Sequence, residues 1–220
     1  MYSICVFSDE AFNFSDRRNL YMLIKNGKRI AFQSQFAGMP LITGAGTDIL
    51  HKPISLAPHV HTGYELTYLT SGEVVWETVS GKELRLTGGT AAIVQPGESH
   101  CGRGHVITPG TLYWIVFDPK VKNAAKNSVF SKRELIDIDT FLGGCGNVTV
   151  DCTPLLETLK TFRHLLDDLG EDQSSIRIAQ LRAILCLIIS ESYNLFKVAP
   201  TCKASEMELV TRKYIEKNLS

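Results

Sequence analysis

The feature that most restricts this chain is a cadence of short apolar runs between about residues 54 and 118, each closed by Gly or Pro. Glu65 to Leu69 and Glu73 to Val79 flank Ser71-Gly72, Ser80-Gly81 precedes Lys82 to Leu86, Ala91 to Val94 enters Pro96-Gly97, and Thr111 to Phe117 follows Pro109-Gly110. Strands this short and this close cannot wait for crossover helices, so the cadence predicts an antiparallel sandwich or barrel. The run Leu112-Tyr-Trp-Ile-Val-Phe117 is apolar at both parities, which predicts a strand covered on both sides. Upstream, Asn26-Gly27 between the apolar pieces Leu20 to Ile24 and Arg29 to Phe32 predicts a hairpin, and Gly38 to Gly46 reads as a longer loop.

Helical patterning begins after a Gly-rich break, Gly143-Gly144-Cys145-Gly146. Thr153-Pro154 reads as cap and first turn of a helix with Leu155, Leu156, Leu159, Phe162, Leu165, Leu166 and Leu169 at helical spacing, stopped by Gly170. A second helix runs from Ser174 or Ser175 to about Phe196, and its unbroken apolar stretch Ala183 to Ile189 must be buried on more than one side. Residues 197–205 form a linker, and Glu206 to Asn218 opens a third helix with Leu209, Val210, Tyr214 and Ile215, so the chain reads as reaching the start of another domain. The expected organisation is mainly β with C-terminal helices: a sandwich over 1–145, a helical segment over 146–198, and a linker with one further helix over 199–220.

Lys plus Arg equal Asp plus Glu at 23 each, so no global positive field exists to hold nucleic acid or an anionic membrane. The six cysteines lack any Cys-x-x-Cys spacing and read as reduced thiols in a cytoplasm. No basic leader opens the chain and no apolar run has the length of a membrane span.

Chemistry concentrates in His59-Val-His61-Thr-Gly-Tyr64-Glu65. Side chains two apart on extended chain share a face, so His59 and His61 point together, and Glu65 joins them if parity survives Gly63. The stretch Gly89 to His100 adds an apolar strand, a Pro-Gly turn and a third imidazole. His59, His61, Glu65 and His100 are a sufficient ligand set for Fe, Mn, Ni, Cu or Zn; the alternative is a hydrogen-bonded polar cluster without metal. Trp76 and Trp114 offer stacking faces for a sugar or aromatic ligand, or simply fill core. His51 and His105 read as loop residues, His164 as an exposed helix residue, and Lys120, Lys122, Lys126, Lys132 and Arg133 as a solvated basic run. No Gly-x-Ser-x-Gly elbow or phosphate-binding Gly loop is present, and Cys101 beside His100 points to the opposite face of a strand.

These residues resemble the two motifs of the cupin superfamily. The first matches at His59, His61, Glu65 and Gly72; the second matches at Gly89, Gly97 and His100, with Gln95 in place of a Pro, Gly104 in place of an Asn, and Pro53 where a leading Gly would stand. The sequence is also similar to the sensing half of AraC-type transcriptional regulators, through His59-x-His61-x-x-Tyr64-Glu65-Leu66, the Pro96-Gly97-x-x-His100 phrase, the strand ending Trp114 to Pro119, the helical pair and the segment Val210 to Asn218. This resemblance implies a cupin-like double-stranded β-sandwich (jelly roll) that binds a small-molecule effector, a sugar among the options, in a site including Glu65, Thr67, Trp76, His100 and Trp114. It implies a homodimer, for which heptad-like spacing on the second helix points to Leu181, Leu185 and Ile188 as the seam, and contact with DNA only through a C-terminal domain absent from this chain. No cofactor is required, and a divalent Zn, Ni, Fe or Mn is compatible. The rival reading is a metal-dependent cupin enzyme, a dioxygenase or isomerase using His59, His61, Glu65 and His100; a third is a stand-alone sugar-binding cupin.

Overall fold

The computed structural model describes residues 22–26, 29–33, 38–169, 172 and 174–198; Gly170, the linker from residue 199 and the expected helix over 206–218 lie outside them. In chain order the strands are β1 (Met22–Asn26), β2 (Arg29–Gln33), β3 (Ile42–Leu50), β4 (Ile54–Ser55), β5 (Tyr64–Thr78), β6 (Glu83–Thr87), β7 (Thr90–Val94), β8 (His100–Gly102), β9 (Val106–Ile107), β10 (Gly110–Phe117) and β11 (Val148–Asp151). The helices are α1 (Lys132–Cys145), α2 (Leu156–Leu169) and α3 (Ser175–Val198). All strand pairings among the described residues are antiparallel, in the order β1-β2-β3-β10-β5-β7-β11. The β6 and β8 strands pair with the second half of β5, and β4 pairs with β9.

The expected hairpin at Asn26-Gly27 is present, with Asn26 opposite Arg29. Two strands expected on either side of Ser71-Gly72 are instead one strand, β5, which crosses from one sheet to the other. Its register against β10 slips by one residue between Leu69 and Ser71, and Gly72 has φ +95° with Pro109 O only 2.4 Å from where a Cβ would sit. The slip reverses the facing parity: Leu69 points into the inner core, and after the bend so do Val74 and Trp76. Both ends of β5 reach His100, through the Glu65 side chain at one end and backbone pairing of Thr78 at the other.

The expected loop over Gly38 to Gly46 is largely strand β3. Its glycines make room for an indole rather than a turn: a Cβ on Gly46 would lie 2.7 Å from Ala31 Cβ and 2.9 Å from the Trp114 ring.

The sheet separates two cores. Leu69, Ala92, Val94 and Leu112 face inward onto Val74, Trp76, Leu84, Leu86 and Ile107. Tyr64, Leu66, Tyr68, Ala91, Ile93, Tyr113, Ile115 and Phe117 face outward onto the helices. β10 is therefore covered on both sides, as its apolar run predicts.

Helix α1 was not expected. Its signals are a capping box, in which the Ser131 hydroxyl accepts from Glu134 N and the Glu134 carboxylate accepts from Ser131 N, and buried Leu135, Ile138 and Leu142. Gly143 and Gly144 lie in its last turn instead of breaking the chain. Before α2, Thr153 is not the cap; it donates through N and Oγ1 to the Asp151 carboxylate and opens a 3₁₀ turn leading into the helix.

Leu181, Leu185 and Ile188 cannot form a subunit seam. Each is 0% exposed, packed within the outer core that α3 shares with α2 and the sheet. The unbroken apolar run of α3 is explained by this intrachain burial; between its two ends the exposed positions are 176, 180, 183, 187, 190 and 194. Buried Tyr68 lies 2.6 Å from Ser192 across that core, a hydroxyl pair joining sheet to helix. His164 is exposed on α2 and His51 lies in a bend, as expected, whereas His105 closes a 3₁₀ turn, Arg103–His105. The described cysteines, Cys101, Cys145, Cys152 and Cys186, are buried and form no disulfide. No helix among the described residues is long and apolar enough to cross a membrane.

Candidate functional site

Backbone pairing brings the two halves of the site together. His59 and His100 exchange N–H···O bonds at 3.0 Å in both directions, and Gly97 N donates to His61 O at 2.9 Å. The segment preceding β5 therefore lies antiparallel against the turn that precedes β8. Glu65, the second residue of β5, takes the inward parity while its neighbours Tyr64 and Leu66 face the helices. The expectation that Glu65 shares a face with His59 and His61 holds despite Gly63, which passes too close to Phe117 O to carry a side chain.

Three imidazoles converge on one carboxylate oxygen. Glu65 Oε2 lies 2.7 Å from His100 Nε2, 3.2 Å from His61 Nε2 and 3.9 Å from His59 Nε2. One ligand atom from each of the four residues falls within 4.8 Å of the others. His100 and Glu65 are buried, whereas the His61 side chain remains 27% exposed and gives the cluster its access to solvent.

Two of the rings are held by their other nitrogen. His59 Nδ1 lies 3.1 Å from Ala57 O and His100 Nδ1 lies 3.3 Å from Glu98 O, so protonation of each Nδ1 satisfies a backbone carbonyl and leaves Nε2 facing the carboxylate. Burial pushes Glu65 up, but His100 and His61 outweigh it and hold the carboxyl well below the usual range. Burial pushes His100 down, yet the Glu65 carboxylate and the Glu98 carbonyl raise it above its ordinary value. Burial lowers His59 against the attraction of Glu65, with help from the neighbouring His100 and His61.

The residues present fit a divalent metal. Glu65 Oε2 is buried with no donor aligned to it as a hydrogen bond, although three ring nitrogens surround it. Close approach without alignment is what lone pairs aimed at a common centre produce, and three nitrogens with one carboxylate suit Zn, Ni, Fe or Mn.

The other expected binding residues lie on the same inner face. The Thr67 hydroxyl donates to Glu65 Oε1 at 3.4 Å, and the Trp76 ring meets His100 edge-on at 6.0 Å. Trp76 is 2% exposed and belongs to the inner core, yet its indole N–H is buried without a partner. Trp114 sits opposite Thr67 in the β10–β5 register and opposite Gly46 in the β10–β3 register.

Sequence reasoning missed the polar group around Trp114. Its Nε1 donates to Asp48 Oδ2 at 3.1 Å, Arg29 Nε lies 3.4 Å from Asp48 Oδ1, and the Arg29 guanidinium stands 5.7 Å from the Trp114 ring centre. Burial drives Asp48 above the usual carboxyl value against Arg29, Trp114 and Arg163. A lone acid in an otherwise uncharged stretch, Ile42 to Leu50, was the available signal.

The model of the family described as AraC-like ligand binding domain matches residues 54–185, more than half of the chain. Among solved structures, the AraC-like transcriptional activator CuxR is 11% identical, with 90% of this chain and 64% of that one covered and a TM-score of 0.39. An RmlC-like cupin from Shewanella frigidimarina is 19% identical over 51% of this chain and 95% of its own, with a TM-score of 0.31. The bacterial pirin YhhW from Escherichia coli, solved with nickel(II), is 18% identical over 47% of this chain and 50% of its own, with a TM-score of 0.33. The chain thus spans about half the length of that pirin and under two thirds of CuxR. No curated protein matches the sequence. With its antiparallel strands and C-terminal helices, the chain belongs to the AraC-like ligand binding domain family.

Proposed function

We propose that this chain is the effector-sensing and dimerisation part of a cytoplasmic AraC-type transcriptional regulator, and that it binds a small molecule rather than catalysing a reaction. The observation that carries this reading is the convergence of His59, His61 and His100 on buried Glu65, reachable from solvent past His61, in a chain of that family. His59, His61, Glu65 and His100 would hold a divalent metal, which would supply an open coordination position for a ligand oxygen. Thr67 would orient Glu65, Trp76 would wall the inner side of His100, and Trp114 with Asp48 and Arg29 would offer a stacking face beside paired charges, a combination suited to a polyhydroxyl ligand such as a sugar. DNA would be met through a domain beyond this chain.

Dimerisation is assigned to the outward side of α3. Ile176, Gln180, Ala183, Leu187, Ser190 and Asn194 recur there at alternating heptad-like spacings, and Ile176 is 64% and Leu187 45% exposed.

The test is thermal unfolding with Zn²⁺, Ni²⁺, Mn²⁺ or Fe²⁺, each with and without a panel of monosaccharides. A ligand present at a hundred times its Kd stabilises by about 2.7 kcal/mol, or about 5–10 °C for a domain of this size. The gain should vanish in Glu65→Gln and His100→Ala. A panel in which no metal or sugar shifts the transition overturns the reading, and turnover of a substrate by the metal-loaded protein would favour the enzyme instead.

A further inference from the structure

We propose that Gln95 and Tyr64 are positioning residues that tie the imidazole-carboxylate cluster to α1, so that α1 is the first helical element to respond when the cluster is rearranged or occupied. The inference rests on the reading of that cluster as the binding site.

Gln95 stands where the related motif carries Pro, and it supplies what Pro lacks, an N–H and a side-chain amide. Its Nε2 donates to Leu142 O at 3.1 Å and Gly146 O at 2.9 Å, carbonyls at the C-terminal end of α1. Such carbonyls have no partner within their own helix, so a cap from another element joins that element to the helix. Gln95 N donates to Asn147 Oδ1 at 2.9 Å, and Lys82 Nζ donates to Asn147 O, which fastens the residues just past α1 as well. On its other side Gln95 leads directly into the Pro96-Gly97 turn, whose backbone bonds His61 and which delivers His100.

Tyr64 makes the second tie. It precedes Glu65 on β5, so the two side chains leave opposite faces of the sheet. The Tyr64 hydroxyl lies 3.0 Å from both the carbonyl and the carboxylate of Asp139 in α1, and it would stand 3.2 Å from a Cβ placed on Gly143. Glu65 thus directly follows a residue bonded to α1, and His100 lies five residues beyond another. From α1 the contact continues to α3, where the Phe141 and Tyr193 rings meet at 4.6 Å. A shift of Glu65 relative to His100 would displace the two anchors of α1 relative to each other. Gly143, in the last turn, lets the helix lie close against Tyr64.

The test is amide hydrogen exchange of the peptide covering 132–145 in the full chain, with two arms. In the first, without metal, His100→Ala should speed exchange in α1 by about five- to thirtyfold, the factor that one or two hydrogen bonds of ordinary strength contribute. In the Tyr64→Phe/Gln95→Ala background, adding His100→Ala should change α1 exchange no further. Parental α1 exchange in His100→Ala, or an equal effect in both backgrounds, overturns the proposal. In the second arm, Zn²⁺ should slow α1 exchange in the parent but not in the double variant, while the Kd of the double variant for Zn²⁺ stays within about tenfold of the parent. Zn²⁺ binding that slows α1 equally in both proteins also overturns it. Failure of Zn²⁺ to bind the parent overturns the metal reading alone, and the first arm still decides the coupling. Should Gln95→Ala fail to fold, Gln95→Met keeps the length without the donor and serves in its place.

Discussion

Leu185 and Leu187 are two residues apart on α3 and face opposite ways, which makes them a sharp test of how this helix is used. Leu185 is 0% exposed in the core shared with the sheet and α2, whereas Leu187 is 45% exposed. Truncating a fully buried leucine removes its transfer free energy and leaves a cavity, so Leu185→Ala should destabilise the protein by about 2–5 kcal/mol. For a domain of this size that is a fall in Tm of roughly 5–15 °C. Leu187→Ala removes a half-exposed side chain and should stay within about 0.5 kcal/mol in the isolated subunit. Association should respond in the reverse order. In sedimentation velocity Leu187→Asp should run as a monomer with little loss of helicity, and Leu185→Ala, below its own transition, should associate like the parent. A Leu185→Ala protein that keeps its Tm but loses its dimer would refute the reasoning, because its side chain would then face a partner and not the sheet.

Three further outcomes follow from the geometry. Gly46→Ala should destabilise by about 1–3 kcal/mol in urea unfolding, since its Cβ would meet Ala31, Ile30 O and the Trp114 ring inside 3.0 Å; parental stability would mean the indole is not seated on β3. Burial raises Asp48 in the folded protein above its unfolded value near 3.8, so the native state binds more protons in the window above that value and this group's contribution to stability falls as pH rises through it. Asp48→Asn should therefore gain on the parent in unfolding free energy as pH rises from about 4, and parallel pH profiles would contradict the assignment. Ser131→Ala should cost about 0.5–2 kcal/mol by removing a cap, with faster amide exchange confined to the first turn of α1.

The sandwich was legible because its signals are local. Gly and Pro mark the turns, and the two-sided apolar run of β10 announces a covered strand. The cluster was legible for the same reason: two phrases fix its four residues, and backbone pairing of His59 with His100 joins them. What escaped the sequence depended on distant partners. The glycines of β3 look like a loop until Trp114 is seen lying across them. The burial of Leu181, Leu185 and Ile188 is as apolar as a seam, and periodicity alone does not say whether sheet or second subunit provides it. Helix α1 did carry a local signal, its capping box, but a basic run and a pair of glycines obscured it. Asp48 and Arg29 form a pair only once β2 and β3 are in register.

Because both ends of β5 come to His100, the strand behaves as a closed loop, and this sets where the chain tolerates insertions and deletions. Adding one residue between Leu69 and Gly72, with no second bulge to absorb it, would turn Val74 and Trp76 out of the inner core while Glu65 stayed in place. The Ser80-Gly81 turn lies outside the loop's closure and carries no such parity constraint, and although the space around Gly81 is open its φ of +79° keeps glycine there. A peptide tag inserted at that turn would leave the alternation of β5 unchanged.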